Sequence, residues 1–275
     1  QDLALMIDRY LIASAVVLTC VLFTAQAADP VNVIKLTALM LVAIALLCSA
    51  AYRAVRHRIV QLPIGVAGAV GLLLSVAFVA ATISAPVTTT AVLGAYGRNS
   101  GLLAYASALV LFFAGLRAFG RPHARILVGG VVFAGLFTAL YGLLQKAGID
   151  AIAWNNPFNP IIAALGNPNF ASGYLGIAAS VGAGGALYAG WARGWRVLSG
   201  ATSVLCLLAA ALSSSVQGPI AAGGGLFVVA VAATLNLTSS RRGGLLAGLC
   251  SLAGLALALL LLGAVAQAGP TARLF

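Results

Sequence analysis

The sequence predicts an all-α protein, a polytopic transmembrane helix bundle of about nine spans with its N-terminus in the cytoplasm. Three observations point there. Of 275 residues, 62% are hydrophobic and only 7% are charged, whereas a water-facing domain carries about 25% charged residues. Mean hydropathy is +1.10, which excludes a soluble globular domain and a disordered chain alike. The apolar residues run in continuous blocks, while strands of a membrane β-barrel alternate polar and apolar positions over about ten residues.

The expected spans are residues 11–28, 33–51, 62–83, 101–119, 126–144, 170–190, 197–213, 219–237 and 243–267. Each is near the ~20 residues that cross a hydrocarbon core. The first run follows Asp2, Asp8 and Arg9 and has no clear cleavage site after it, so it reads as a span and not as a signal peptide. Arg53, Arg56 and Arg58 close the second run, and Arg117, Arg121 and Arg125 lie between the fourth and fifth. Pro30, Pro63, Pro86, Pro122, Pro157, Pro160, Pro168, Pro219 and Pro270 all fall in loops or at span ends, where a missing N–H costs least. Small residues recur at helical spacing at Gly176, Ser180 and Gly184, and cluster at residues 223–225, as close helix packing requires. Residues 1–275 read as a single transmembrane helical domain, with no length left for a separate soluble one. The chain opens on Gln1 and stops at Phe275, and both ends read as cut edges of a longer protein.

Orientation follows from charge. The 15 Lys+Arg outnumber the 4 Asp+Glu, for a net charge of +11. With the N-terminus inside, the cytoplasmic segments hold Arg9, Arg53, Arg56, Arg58, Arg117, Arg121, Arg125, Arg193, Arg196, Arg241 and Arg242. The outer side keeps Lys35, Arg98, Lys146 and Arg273. That asymmetry is the positive-inside pattern, so the basic balance speaks for topology and membrane lipids and not for nucleic acid. The four aspartates, Asp2, Asp8, Asp29 and Asp150, are expected outside the membrane interior, which counts against an ion-driven pump. His57 and His123 sit among arginines without metal-ligand spacing, so no metal or cofactor is expected. Cys20, Cys48, Cys206 and Cys250 fall within spans and read as buried thiols.

Three outer segments are richer than connections need. Residues 84–100 end at Arg98, flanked by Gly97 and Gly101. Arg98 reads equally as an interfacial anchor or as an anion-binding guanidinium at a helix start. Residues 145–169 mix Trp154 and Phe158 with Asn155, Asn156 and Asn159, which suits sugar faces and hydroxyls and also an interfacial aromatic belt. Residues 161–165 read as a re-entrant or surface element, and Asn169 as the cap of the next span. Residues 213–219 form a short turn carrying Gln217.

Four fragments in order carry a resemblance: YGRNSGLL (96–103), YGLLQKAGID (141–150), WNNPFNP (154–160) and GNPNFASGYL (166–175). Together they are similar to the bacterial O-antigen ligase and O-antigen polymerase superfamily, over about half of the chain. The resemblance implies a multi-span glycosyltransferase of the GT-C type in the bacterial cytoplasmic (inner) membrane. Its donor would be a glycan on undecaprenyl diphosphate, its acceptor a glycan or lipid, and it would need no cofactor. Arg98 matches a diphosphate-binding arginine, and Asn167, Asn169, Gln217 and Trp154 complete the expected substrate-binding set. Two departures stand out. Gln217 lies near the position where many members carry an arginine. The resemblance also implies a large outer loop after the ninth span, followed by further spans; the expected acid–base histidine would lie in that loop beyond Phe275, so residues 1–275 alone are expected to be inactive. The competing expectation is a non-enzymatic transporter or flippase for a lipid-linked or neutral cargo.

Overall fold

The computed structural model describes residues 2–24, 29–58, 65–95, 97–152, 154 and 161–237. All regular structure among them is helical: α1 (Asp2–Val21), α2 (Asn32–His57), α3 (Val66–Ile83), α4 (Thr88–Leu93), α5 (Leu102–Ala118), α6 (Ala124–Lys146), α7 (Pro168–Leu187), α8 (Arg193–Leu212) and α9 (Gln217–Leu237), with short 3-10 turns at Arg121–His123 and Ala163–Leu165. Seven of these, α1, α2, α3, α6, α7, α8 and α9, are long and apolar enough to cross a membrane, and α5 is a shorter apolar helix. The chain is thus all-α and multi-pass by length and composition. Eight of the expected runs fall on these helices, whereas the ninth, 243–267, lies outside the described residues.

Two borders differ from expectation for a physical reason. α1 begins at Asp2 and not near residue 11, and α2 runs on through Arg53 and Arg56 to His57. Charged side chains, which ended the apolar runs in sequence, find partners inside the fold. Asp8 is fully buried and Arg53 is 9% exposed. Neither belongs to a solvated margin or loop as expected.

The chain divides into two compact units, Gln1–Gly130 and Val131–Phe275, with the border inside α6. In the first, Ile12 and Ala15 of α1, Val42 and Leu46 of α2, and Ala114 and Ala118 of α5 form the core. α3 lies on α5, where Gly71 clears the rings of Phe112 and Phe113: a Cβ there would come within 2.7 Å of Phe112. Phe78 of α3 stacks on Tyr105 of α5 with ring centroids 4.5 Å apart. Leu73 and Val76 of α3 remain exposed, as lipid-facing side chains do.

In the second unit α7 is the central helix. Its small residues let neighbours approach closely. A Cβ on Gly176 would strike the Gly218 carbonyl of α9, and one on Gly225 would strike Ser180. On another face, a Cβ on Gly182 would lie 2.7 Å from the Ser199 carbonyl of α8. Ala139 of α6, Leu175, Ala178 and Ala179 of α7, and Cys206, Ala209 and Ala210 of α8 make the core. The expected packing seam thus runs through Gly176, Ser180 and Gly225, while Gly224 faces open space and Gly184 makes only ordinary contact. Cysteine burial holds for Cys20 and Cys206 but not for Cys48, which is exposed on α2. Cys250 lies outside the described residues.

Candidate functional site

At one end of the second unit, α6 stops, α7 starts and α8 turns into α9. Polar side chains concentrate there. Tyr141 and Gln145 stand one turn apart on α6 and point at Asp150, just beyond the helix. Asp150 Oδ2 accepts from Tyr141 OH at 3.0 Å, Gln145 Nε2 at 3.1 Å and Trp154 Nε1 at 3.0 Å. Its Oδ1 accepts from the Ile152 amide at 3.0 Å. Burial alone would raise the Asp150 pKa, but these four donors outweigh it and hold the carboxyl below its ordinary value. Trp154 Nε1 also donates to Tyr141 OH at 3.0 Å, which fixes the plane of the indole.

Gln145 joins this cluster to the start of α7. Its Oε1 accepts from the amides of Ile162 at 3.1 Å and Ala163 at 2.7 Å. Those amides belong to a buried turn: Ile161, Ile162, Ala163 and Ala164 are all at most 3% exposed. A buried backbone must find hydrogen-bond partners, and the Gln145 amide oxygen supplies one acceptor for two donors. The expected re-entrant or surface element at 161–165 is thus an internal 3-10 turn.

The turn delivers the chain through Gly166, at φ +70°, to Asn167. Asn167, not Asn169, is the N-cap of α7: its side chain accepts from the Asn169 amide at 2.9 Å. The reason is Pro168, whose fixed φ suits the first helical position and leaves the residue before it as the cap. Asn169 is thereby free for another partner, and its Oδ1 accepts from Ser215 Oγ at 2.9 Å. Gln217 opens α9 and lies over Gly173 of α7, with its Oε1 3.6 Å from where a Cβ would stand. Asn167 and Asn169 thus lie at the start of α7 and Gln217 at the start of α9, next to Gly173 of α7, while Trp154 is tied through Asp150 and Gln145 to the turn that precedes Asn167. Asn155, Asn156, Phe158 and Asn159 lie outside the described residues.

Arg98 belongs to the first unit, at the end where α2 and α5 begin. It is exposed. Its neighbours anchor the loop: Asn32 Nδ2 donates to the Gly97 carbonyl at 2.7 Å, and Asn99 Nδ2 donates to Asp29 Oδ2 at 3.1 Å. Asp29 Oδ1 also accepts from the amides of Val31 and Asn32. Gly94 and Gly101 close the base of the loop by backbone contact, since a Cβ on Gly101 would strike Gly94 N. Asp29 puts a carboxylate beside this tip, which lowers its net positive charge.

Sequence reasoning assigned no role to Tyr141, Gln145 or Ser215, and treated Asp150 only as a titratable group. The helical spacing of Tyr141 and Gln145 ahead of Asp150 was the available signal. Among the described residues, no three His, Cys, Asp or Glu side chains assemble as a metal would need. Amide, hydroxyl and indole groups on a preformed scaffold can hydrogen-bond sugar hydroxyls and stack on a sugar face. Fold and site define a multi-pass helical membrane protein with a polar cluster around the Asp150 carboxylate at one end of its second unit. No protein-family model, no curated protein and no solved structure matches the chain.

Proposed function

We propose that the chain is part of a membrane glycosyltransferase that moves or polymerises a glycan from an undecaprenyl-diphosphate carrier at the outer face of a bacterial cytoplasmic membrane. O-antigen ligases and polymerases provide the pattern. One observation carries the reading. Two fragments of the resemblance share one hydrogen-bonded cluster, Tyr141, Gln145 and Asp150 from residues 141–150 and Trp154 from residues 154–160, and Gln145 ties it to the amides of Ile162 and Ala163, just ahead of the fragment that holds Asn167 and Asn169. The reading has about nine spans with the N-terminus inside. The separation of Arg98 from Arg53 and Arg117 by the length of α5 supports that orientation within the first unit. In this reading Trp154 and the amides hold the glycan, and Arg98 holds the diphosphate. Asp150 is a poor general base, because its depressed pKa favours the carboxylate over the proton. The acid–base group would come from a further part of the protein.

The test is donor binding by the purified chain in proteoliposomes, using a radiolabelled undecaprenyl-diphosphate glycan. Saturable binding without turnover is expected. Arg98→Ala should weaken it about tenfold or more, the scale of losing a charge-assisted contact worth ~1.5–3 kcal/mol. Equal binding by wild type and Arg98→Ala returns Arg98 to the role of interfacial anchor. Absence of saturable binding overturns the reading. One observation favours the second reading, a transporter or flippase: the side chains of Asp8, Arg53 and Arg117 meet between α1, α2 and α5. Translocation of a fluorescent lipid-linked diphosphate across these vesicles would decide for it.

A further inference from the structure

The other end of the first unit, where α1 starts and α2 and α5 stop, holds a charge cluster that the glycan reading does not use. Arg53 Nη1 and Arg117 Nη2 both contact the same oxygen, Asp8 Oδ2, at 2.8 and 2.9 Å. Ser49 Oγ donates to Asp8 Oδ1 at 2.7 Å and accepts from Arg53 Nη1 at 2.8 Å. Arg9 Nε donates to the Ala118 carbonyl at 2.6 Å, beside Arg117. One carboxylate thus meets two guanidinium groups, with a third, Arg9, held on the neighbouring Ala118 carbonyl.

The donors are unbalanced as well. Each of Arg53 and Arg117 reaches Asp8 through one nitrogen, so neither makes the two-pronged pair of which a guanidinium is capable. Arg53 Nη2 and Arg117 Nε are buried without a hydrogen-bond partner, and Arg53 as a whole is 9% exposed. Buried charge in excess of its counter-charge, with unfilled N–H groups, is costly in a low-dielectric interior. An anion with several oxygens relieves both deficits at once.

We infer that the Asp8–Arg53–Arg117 cluster, with Arg9, is a binding site for a phosphate-bearing anion. Tetrahedral phosphate oxygens match guanidinium forks better than a monatomic ion does. Depth agrees: Arg53 lies four residues before the end of α2 and Arg117 one before the end of α5, within about 6 Å of the helix ends at ~1.5 Å per residue. That is where headgroup phosphates meet a bundle. The approach is from the Arg117 side, whose side chain is 22% exposed, against 11% for Arg53 and none for Asp8. Arg56 and Arg58 are exposed near the end of α2. They contribute a diffuse field that attracts anions without selecting one. The phosphate can come from an anionic lipid headgroup or from a free phosphate.

The experiment uses the purified full chain in detergent. Lipid retention is read by native mass spectrometry, and thermal unfolding is followed with phosphatidylglycerol, phosphatidylcholine, inorganic phosphate or chloride at equal ionic strength. Phosphatidylglycerol or phosphate is expected to raise Tm, and chloride not. Arg117→Gln and Arg117→Lys should each weaken the effect about tenfold, because lysine keeps the charge but loses the fork. Arg56→Gln, at the exposed rim, should leave it intact. Asp8→Asn should make Tm more dependent on the anion, since it enlarges the charge excess. Retention of lipid against excess inorganic phosphate assigns the site to a headgroup, and competition by phosphate assigns it to the free ion. The inference is overturned if chloride matches phosphate, if phosphatidylcholine matches phosphatidylglycerol and phosphate has no effect, if Arg56→Gln loses as much as Arg117→Gln, or if both Arg117 variants bind as wild type does.

Discussion

Asp150 shows how a single carboxylate can organise a membrane-border cluster. Its four donors come from the end of α6 and the segment just after it, so the whole arrangement is local in sequence. A carboxyl held below its ordinary pKa contributes stability that is complete above the unfolded value, about 3.9, and is lost as pH falls through the folded value. With Trp191 and Trp195 replaced by Phe, Trp154 emission is therefore expected to stay constant from neutral pH down to about 4 and to shift only below that. Asp150→Asn should abolish the transition. A transition near pH 6 would show that the donors do not control this group. At this scale the sequence was partly legible. Asn167 and Asn169 stood out, but the cap was placed on the wrong one, although Pro168 between them marks the first helical position. Gln145 looked like an ordinary polar residue at a helix end. Its value lies in two amides of a buried turn that only the folded chain supplies.

The helices themselves were legible because a continuous apolar run of this length has few alternatives. Their ends were not, because a border depends on which polar groups find partners. Arg196 Nε donates to the Ala186 carbonyl at the end of α7 at 2.9 Å, as Arg9 does at the end of α5. A cation at a helix C-terminus satisfies an orphan carbonyl and opposes the helix dipole. The α7–α9 seam gives an element-scale expectation. Gly176 faces the Gly218 carbonyl and Ala222 with no room for a side chain. Gly176→Leu should drive α7 and α9 apart, lowering stability by roughly 1–3 kcal/mol or more, as overpacking does. Gly224→Ala, at a position with nothing within 4 Å, should be near neutral. Thermal unfolding of both variants in detergent checks the contrast, and an equal loss for the two would remove the seam from the account of stability.

Across the whole molecule, the charge pattern predicts topology before any contact is known. Cysteine labelling from the two sides of intact cells tests it. Single cysteines at Ser100 and Ala147 should react from the outer side, and ones at Arg58 and Gly190 only after permeabilisation. The reverse result would invert the orientation. Composition could not reveal that several of these charges also have structural partners. Asp8, Arg53 and Arg117 are separated by tens of residues, and no local window pairs them. Arg98 is the opposite case: its distance in sequence from the other arginines is visible at once, but the Gly94–Gly101 closure and the Asp29 anchor that shape its loop are not.

The long sequence separation within the Asp8 cluster has a consequence for how the chain is made. Arg117 follows Asp8 by 109 residues. At roughly 5–20 residues per second of synthesis, α1 waits on the order of 5–20 s before that partner exists. An unpaired Asp or Arg within an inserting helix costs about 2.5–3.5 kcal/mol at the helix centre and less towards its ends. α1, with Asp8 and Arg9 adjacent, thus settles in the bilayer less readily by itself than with α2 and α5 in place. Its final seating depends on the birth of α5, so a helix made well before its partner is secured only when that partner arrives.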